Sequence, residues 1–244
     1  MEAPNEAKTR AYYDDFSARY EDRRGGNVPH GYHDLLDHLE SDFVRKFAER
    51  RDVLEVGCGT GLVLERIAGF ASRAEGVDLS PGMLEKARAR GLSVREGTAT
   101  ALPFADDSFD VTCSFKVLAH VPEIERALAE MTRVTRKGGY VLAEFYNPLS
   151  FRGLLRHLGP SRKIGQAHAE HDVYTRFDSP GRARALTPPG TRLADARGVR
   201  ILSPTASLLD HRLLGPWFYK AECWAADTPL RNLAGFYVAA YQKV

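Results

Sequence analysis

The sequence is poor in cysteine and in long apolar runs. Three cysteines occur in 244 residues, Cys58, Cys113 and Cys223, and an odd, widely spaced set excludes a disulfide framework. The sequence contains no stretch of about 18 apolar residues, so we expect no membrane span. The polar N-terminal segment lacks the apolar centre of a signal peptide. Together these absences predict a cytoplasmic protein without a transmembrane segment.

A large charge surplus and a metal-binding pattern are also missing. The formal net charge is +2, so charge alone predicts neither a nucleic acid nor an anionic membrane as a partner. His168, Glu170 and His171 lie close together in the sequence, but no third or fourth ligand stands out by its spacing. We therefore expect no metal site. The hydrophobic content of 43% is enough for a full core.

The central part of the chain alternates between strand and helix patterns. Alternation at this spacing is typical of parallel βαβ units and predicts an α/β fold. The predicted strands are 52–56, 73–79, 93–97, 109–115 and 139–146, and the predicted helices are 61–70, 80–91 and 123–136. Ser80, directly before Pro81, is the predicted cap of the second helix.

The segments on either side give the predicted organisation of a single domain. Residues 1–50 form an N-terminal helical arm, 51–147 the core, 148–190 an insert, and 191–244 the closing elements. The arm is predicted to begin with one helix over 6–23, followed by a turn at 25–27. The closing elements are strands at 198–209 and 235–243 around a helix containing 213–226. The aromatics of this helix either line the substrate space or form its buried face, and we expect them mainly in the core: Trp217, Phe218, Tyr219 and Trp224. The insert, rich in Pro, Gly and Arg, either caps the open face of the sheet or is a solvated connection.

A glycine turn follows the first predicted strand. The stretch DVLEVGCGTG, residues 52–61, places Gly57, Gly59 and Gly61 directly after an apolar run. Such a turn lets a ligand approach the backbone and the next helix N-terminus. The dinucleotide pattern G-x-G-x-x-G would need glycine at position 62, which is Leu62. The turn therefore favours a nucleoside cofactor without a pyrophosphate.

An acidic residue ends the second predicted strand. Asp78 lies 21 positions after Gly57 (78 − 57). A carboxylate at this place can accept hydrogen bonds from both hydroxyls of a ribose. The alternative is a turn residue or a helix N-terminal charge, but strand, glycines and acid in this order favour ribose binding.

These motifs together resemble those of the class I S-adenosylmethionine (SAM) dependent methyltransferases. The stretches that carry the resemblance are VLEVGCGTG, GVDLSPGMLEKAR, EGTATALPFADDSFDVTCSFKVLAHV and ALAEMTRVTRKGGYVLAEF. They look most like the branch that includes the ubiquinone and menaquinone biosynthesis methyltransferases and many small-molecule methyltransferases. The resemblance implies a Rossmann-like fold, with a mostly parallel seven-stranded sheet covered by helices on both faces, and SAM as the cofactor.

The resemblance also implies where SAM binds. The backbone of Gly57 to Gly61 would hold the methionine end near Glu55, Asp78 would bind the ribose, and Thr98 stands where the family often has an acid that reads the adenine amine. A hydroxyl accepts more weakly than a carboxylate. The full predicted cofactor-binding set is Tyr13, Tyr20, Glu55, Gly57, Cys58, Gly59, Gly61, Asp78, Leu79, Met83, Thr98, Ala99, Ser114 and Phe115.

The catalytic residues are harder to predict, because the cofactor carries the reactivity and a base is needed only for some acceptors. His120 follows the fourth strand and either takes a proton or supports the fold. Tyr13 and Tyr20, on the arm, contact the ligands or pack on one helix face. Lys116 binds a substrate or carboxylate, or extends into solvent. We predict His120 and Tyr20 as the catalytic pair.

The predicted function is methyl transfer from SAM to a small, apolar or lipid-like acceptor. The first alternative is an RNA or protein methyltransferase, which the Arg-rich residues 151–200 permit although no RNA-binding module is visible. The second is a SAM-binding protein without catalysis. A nicotinamide-dependent oxidoreductase would need glycine in place of Leu62. The sequence does not predict the oligomeric state.

Overall fold

A computed structural model describes residues 6–24, 29–150, 174–203 and 205–244. Their strands form one seven-stranded sheet in the order β3-β2-β1-β4-β5-β7-β6. The pairs from β3 to β5 are parallel, and β7 is antiparallel to both of its neighbours. The predicted fold is confirmed. The strands are β1 Asp52–Val56, β2 Arg73–Asp78, β3 Ser93–Glu96, β4 Phe109–Ser114, β5 Thr135–Tyr146, β6 Thr191–Val199 and β7 Phe236–Lys243.

Helices cover the sheet on both faces. Alternate residues of β1 show this: Val53 packs in one core with Phe43 and Ile67, while Leu54 packs in the other with Leu128. Among the described helices, none combines the length and the apolar character needed to cross a membrane. The helices are α1 Glu6–Ser17, α2 Tyr20–Arg23, α3 Tyr32–Ala48, α4 Leu62–Ala68, α5 Pro81–Ala89, α6 Ile124–Val134, α7 Pro180–Ala185, α8 Ala206–Leu209 and α9 Gly215–Ala225, with 3₁₀ helices at Leu118–His120 and Pro229–Leu233.

The N-terminal arm is helical but interrupted. One helix was expected over residues 6–23, whereas α1 ends at Ser17 and α2 begins at Tyr20. The hydroxyl of Ser17 donates to the carbonyl of Asp14 at 2.7 Å, a local bond that competes with helix continuation. The Gly25–Asn27 turn lies outside the described residues.

The arm docks on the start of α5. Asp14 Oδ1 accepts from the Ser80 hydroxyl at 2.9 Å and from the Gly82 amide at 2.7 Å. Ser80 is also the predicted helix cap, because its Oγ accepts from the Met83 amide. Helix α1 is thereby held against the helix that follows Asp78.

The prediction of a strand at 198–209 was wrong. The strand of this region, β6, ends at Val199, and Arg200 has a positive φ of 61° that turns the chain away. The amides of Ile201, Leu202 and Ser203 donate to the buried carboxylate of Glu222 instead of to a neighbouring strand. Because Glu222 lies about 20 positions further along the chain, the local pattern could not show this competition.

Two further expectations are corrected. Helix α6 ends at Val134 rather than at Arg136, since β5 already begins at Thr135. The tryptophans of α9 are not in the core: Trp217 is 64% exposed and Trp224 is 69% exposed. Much of the predicted insert, including His168, Glu170 and His171, lies outside the described residues, and no cluster of three metal-ligating side chains occurs within them.

Candidate active site

The glycine turn joins β1 to α4, and its three glycines have different reasons to be glycine. All three have positive φ, +76°, +54° and +85° for Gly57, Gly59 and Gly61. A Cβ on Gly57 would collide with Val117, and one on Gly61 with Leu92. A Cβ on Gly59 would have no neighbour within 4 Å. Packing therefore demands the outer glycines, while the middle one faces open space that a ligand can enter.

Asp78 lies beside this turn at the end of β2. Its Oδ2 accepts from the Gly59 amide at 2.8 Å, and its Oδ1 accepts from the Ser80 amide at 2.9 Å. Burial raises the pKa of Asp78. The residue thus acts as a turn residue, and each carboxylate oxygen still has a lone pair for a further donor such as a ribose hydroxyl.

Glu55 is a buried carboxylate in β1, two residues before the turn. Its side chain is 3% exposed, and its Oε2 has no hydrogen-bond partner among the described residues. Burial, with a contribution from Glu40, raises the pKa of Glu55 well above its usual value. An unsatisfied buried carboxylate oxygen is costly, and a cationic ligand such as an ammonium group would satisfy it.

A buried charged cluster lies next to Glu55, at the ends of β4 and β5. Lys116 Nζ bonds Glu40 Oε2 at 2.7 Å, and the Lys116 amide donates to Glu144 Oε1 at 3.0 Å. Lys116 therefore has carboxylate partners rather than extending into solvent. Burial disfavours its charged form, but Glu40 and Asp37 outweigh burial and raise the pKa of Lys116.

The cluster as a whole has an excess of acids. Arg24 of the arm completes it by binding Asp37 Oδ2 at 2.6 Å. Asp37, Glu40, Glu55 and Glu144 are all buried, and they face the two cations Lys116 and Arg24. Burial and Glu40 raise the pKa of Glu144 well above its usual value. A cation entering beside Glu55 would offset this excess.

The arm places its tyrosines on the same side of the sheet. The Tyr13 ring centroid lies 6.5 Å from that of His120, and the Tyr20 hydroxyl accepts from Arg24 at 3.3 Å. Burial raises the pKa of Tyr13, with smaller effects of Tyr12 and Asp78. Glu21 adds a salt bridge to Arg90 at 2.9 Å. The arm therefore covers the region between the glycine turn and the end of β4.

His120 belongs to the 3₁₀ helix after β4 and is oriented by its neighbours. Its Nδ1 lies 2.9 Å from the carbonyl oxygen of Tyr174 and 3.2 Å from Thr175 Oγ1. Because a carbonyl only accepts, Nδ1 carries the hydrogen, and Nε2 is the basic nitrogen of the neutral ring. The Tyr146 ring lies 5.8 Å away. This orientation suits both proton transfer at Nε2 and structural support through Nδ1.

Several predicted cofactor residues have side chains engaged within the fold. The Ser114 hydroxyl donates to the Val56 carbonyl at 2.8 Å, and Thr98 Oγ1 shares a hydrogen bond with Thr100 at 3.1 Å. Cys58, Met83 and Phe115 are buried, and burial raises the pKa of the Cys58 thiol. Leu79 and Ala99 are half-buried. The cofactor contacts of these residues stay predictions.

An apolar pocket of about 300 Å³ lies between the arm and α3. It was not predicted from sequence, because its walls come from four distant segments. Burial and the neighbouring Arg24 lower the pKa of His33, so its imidazole is neutral near pH 7. The lining residues are Phe16, Tyr20, Arg24, Tyr32, His33, Leu36, Lys116 and Phe236.

A second depression, of about 490 Å³, lies at the other end of α3 and is lined by charged residues including Arg45, Lys46 and Arg197. Lys46 and Arg197 are paired with Asp195 and Asp42. This depression adjoins Arg51, at the start of β1. Ligands of parallel sheets bind at the opposite, carboxyl ends of the strands. The apolar pocket lies at that end, because Lys116, one of its lining residues, follows β4. The apolar pocket is therefore the candidate site.

Comparisons with known proteins concern the family and the fold of the chain. A family model described as a methyltransferase domain matches residues 54–143. A demethylmenaquinone methyltransferase of Renibacterium salmoninarum is 49% identical over 195 residues, covering 78% of this chain and 73% of the relative. One of Thermobifida fusca is 40% identical over 121 residues, covering 46% of this chain and 51% of the relative.

A solved structure shares the fold at lower identity. It is a SAM-dependent methyltransferase of Thermotoga maritima, described as a possible histamine N-methyltransferase. The TM-score is 0.70 at 23% identity, with 96% of this chain and 99% of the other covered. At this identity the likeness concerns the architecture alone.

Proposed function

We propose, from the premise that this chain belongs to the class I SAM-dependent methyltransferases, that its acceptor is a small, apolar, ring-bearing molecule. The enzyme uses SAM as its cofactor. The observation that carries the proposal is the apolar pocket under the arm, whose aromatic walls, Phe16, Tyr20 and Phe236, suit a flat ring. The relatives named demethylmenaquinone methyltransferase support an acceptor of this kind.

The predicted cofactor residues fit SAM. The open space at Gly59 admits a ligand against the backbone, the unsatisfied Glu55 oxygen suits the ammonium, and Asp78 suits the ribose hydroxyls. Leu79, Met83, Thr98 and Ala99 follow Asp78 along the chain, where the adenine would lie. When bound, SAM supplies a methyl group on a sulfonium. The protein aligns the acceptor with that methyl and excludes water.

The polar end of the pocket would orient an oxygen of the acceptor. Lys116 and Arg24 are cations on an otherwise apolar wall, and a phenol-type or quinol-type oxygen would point toward them. Methylation of a carbon or oxygen forms one bond to the methyl, breaks its bond to sulfur and releases a proton. His120 is the predicted group to receive it, and Tyr20 is predicted to contact the ligands. The neutral His33, which lines the pocket, is a candidate base that the sequence did not reveal.

Other features favour a small acceptor over a nucleic acid. In the described part of residues 151–200, Arg176 is paired with Asp178 at 2.7 Å and Arg197 with Asp227 at 2.7 Å. These two arginines are engaged by carboxylates and are therefore less available to phosphates. A cytoplasmic location, also part of the proposal, is supported by the three free cysteines.

The test supplies methyl-labelled SAM together with a reduced demethylnaphthoquinone that has a short isoprenoid tail. RNA and protein from a bacterial extract are offered in parallel. Label in the quinol supports the proposal, whereas label confined to RNA or protein overturns it. The Asp78→Ala variant should weaken SAM binding by about 2 kcal/mol. Unchanged calorimetric affinity would contradict the ribose role.

A further inference from the structure

Both tryptophans of the chain lie on one exposed face of α9. Trp217 and Trp224 are seven positions apart, which is close to two helical turns, and they are 64% and 69% exposed. Leu213 and Leu214, just before the helix, are 79% and 46% exposed. We call these four residues the tryptophan face. Exposed clusters of large apolar side chains usually mark a contact surface.

The tryptophan face extends beyond the helix. Helix α9 contacts the 3₁₀ helix Pro229–Leu233, which carries two more exposed leucines, Leu230 at 37% and Leu233 at 42%. The inner side of α9 is already anchored, because Ala225 and Glu222 are buried and Glu222 holds the backbone of Ile201. The outer apolar side chains therefore do not serve the core of the described fold.

The charges around the tryptophan face are mainly positive. Lys220 lies between the two tryptophans in the sequence, and Arg212 precedes Leu213. Both are exposed and make no ion pair within the described residues. Two nearby acids add little negative charge to this surface. Asp227 pairs with Arg197 at 2.7 Å, and Glu222 is buried. Asp210 is the acid that remains, and it accepts from the Tyr32 amide at 3.2 Å.

We propose that the tryptophan face docks on the surface of a lipid bilayer that contains anionic lipids. Tryptophans beside lysine or arginine are typical of segments that lie at the membrane interface, where the rings enter the headgroup region and the cations meet anionic headgroups. An anionic bilayer complements the positive charge around the tryptophan face, whereas a second copy of this chain is close to neutral and does not. The occupant is therefore a membrane rather than a protein.

Docking in this way would place the apolar pocket close to the bilayer. Tyr219 of α9 contacts His30, with ring centroids 5.1 Å apart, and the Asp210 bond to the Tyr32 amide ties the segment before α9 to a wall of the pocket. This step rests on the proposed function: an apolar acceptor dissolved in the bilayer would reach the pocket without crossing water. Docking itself does not depend on it.

The test uses the intrinsic fluorescence of the chain, because its only two tryptophans both lie on the tryptophan face. Vesicles of equal parts phosphatidylglycerol and phosphatidylcholine should shift the emission to shorter wavelength and carry the protein upward in flotation. Vesicles of phosphatidylcholine alone should bind less, and added salt should weaken binding.

Variants make the test specific. The double variant Trp217→Ser/Trp224→Ser should lower the partition coefficient in flotation at least about tenfold and leave calorimetric SAM affinity unchanged. Val244→Ser is the matched control, because Val244 is 60% exposed but follows the far end of β7. It should bind vesicles like the unaltered chain.

Three results would overturn the inference. The first is the absence of both flotation and spectral shift with the anionic vesicles, and the second is equal flotation of the double variant. The third is a short-wavelength emission without lipid that depends on protein concentration, which would assign the face to a second copy. Methylation of the short-tailed quinol in solution reports separately on the proposed function, so failure of one proposal is distinguishable from failure of the other.

Discussion

The two sides of the candidate site are built differently. On the side of β1 and β2, a short stretch of chain supplies Glu55, the glycine turn and Asp78, and the open space at Gly59 lies directly against the backbone. On the side of β4 and β5, side chains from distant segments meet, among them Arg24, His33, Lys116 and Phe236. The cofactor side depends on backbone conformation, whereas the acceptor side depends on which side chains meet. Substitutions should therefore affect the two sides in different ways.

The largest expected effect concerns the backbone of the cofactor side. Gly59→Val should remove SAM binding, at a cost of about 4 kcal/mol or a thousandfold in affinity, because a branched side chain would strain a φ of +54° and fill the open space. Gly190→Val is the matched control, since Gly190 also has a positive φ and no neighbour within 4 Å of an added Cβ, but it directly precedes β6, away from the turn. Calorimetry should show SAM binding retained in the control alone. Equal SAM binding by both variants would mean that the glycine turn does not contact the cofactor.

A smaller effect is expected from the charged cluster of the acceptor side. Lys116→Met should lower the free energy of unfolding by about 3 kcal/mol, because Glu40 would lose its cation in a buried place. Lys46→Met, which removes the more exposed pair with Asp195, should cost less than about 1 kcal/mol. Urea denaturation of both variants measures the difference. Similar losses would mean that the cluster is not sensitive to its charge balance.

The smallest expected effect is a pH dependence of stability and SAM affinity that arises from Glu55, which lies between the glycine turn and the charged cluster. Because its pKa is raised in the fold, Glu55 contributes stability below its unfolded pKa and loses that contribution as pH rises through the raised value. SAM carries a net positive charge and favours the ionised carboxylate. SAM affinity should therefore increase with pH over this window, by at most about tenfold per pH unit.

Calorimetry of the unaltered chain and of Glu55→Gln, from mildly acidic to mildly alkaline pH, isolates this contribution. The pKa values of His33 and His38 are lowered by burial, and their effects cancel in the comparison. Glu55→Gln should bind SAM more weakly at the alkaline end and with a flatter pH profile. Parallel profiles would assign the pH dependence to other groups.

The same difference explains how much the sequence could predict. Strand β1, the glycine turn and Asp78 follow one another, so a local pattern was sufficient for the fold and for the cofactor. Ser80 as the cap of α5 was also predicted, because a cap depends on neighbouring residues. The cofactor-contact roles of Leu79, Thr98 and Ser114 remain predictions.

The missed features depend on residues that are far apart in the chain. The end of β6 is decided by Glu222 and by the turn at Arg200, neither of which lies within the strand. Tyr32, His33 and Phe236 line the pocket only because α3 and β7 come together. The exposed Trp217 and Trp224 look like core residues by type, since composition does not show which face of a helix is covered.

The contact between Asp14 and the start of α5 has a consequence for the exchange of spent for fresh cofactor. Ser80 and Gly82, which donate these two hydrogen bonds, come just after Asp78 in the chain, so the position of the arm and the shape of the proposed ribose site are linked. Linkage is reciprocal: a cofactor that favours this arrangement of Ser80 also favours the docked arm, and an undocked arm weakens the hold on the cofactor. The rate of each catalytic cycle would then include the time the arm takes to leave α5 and return.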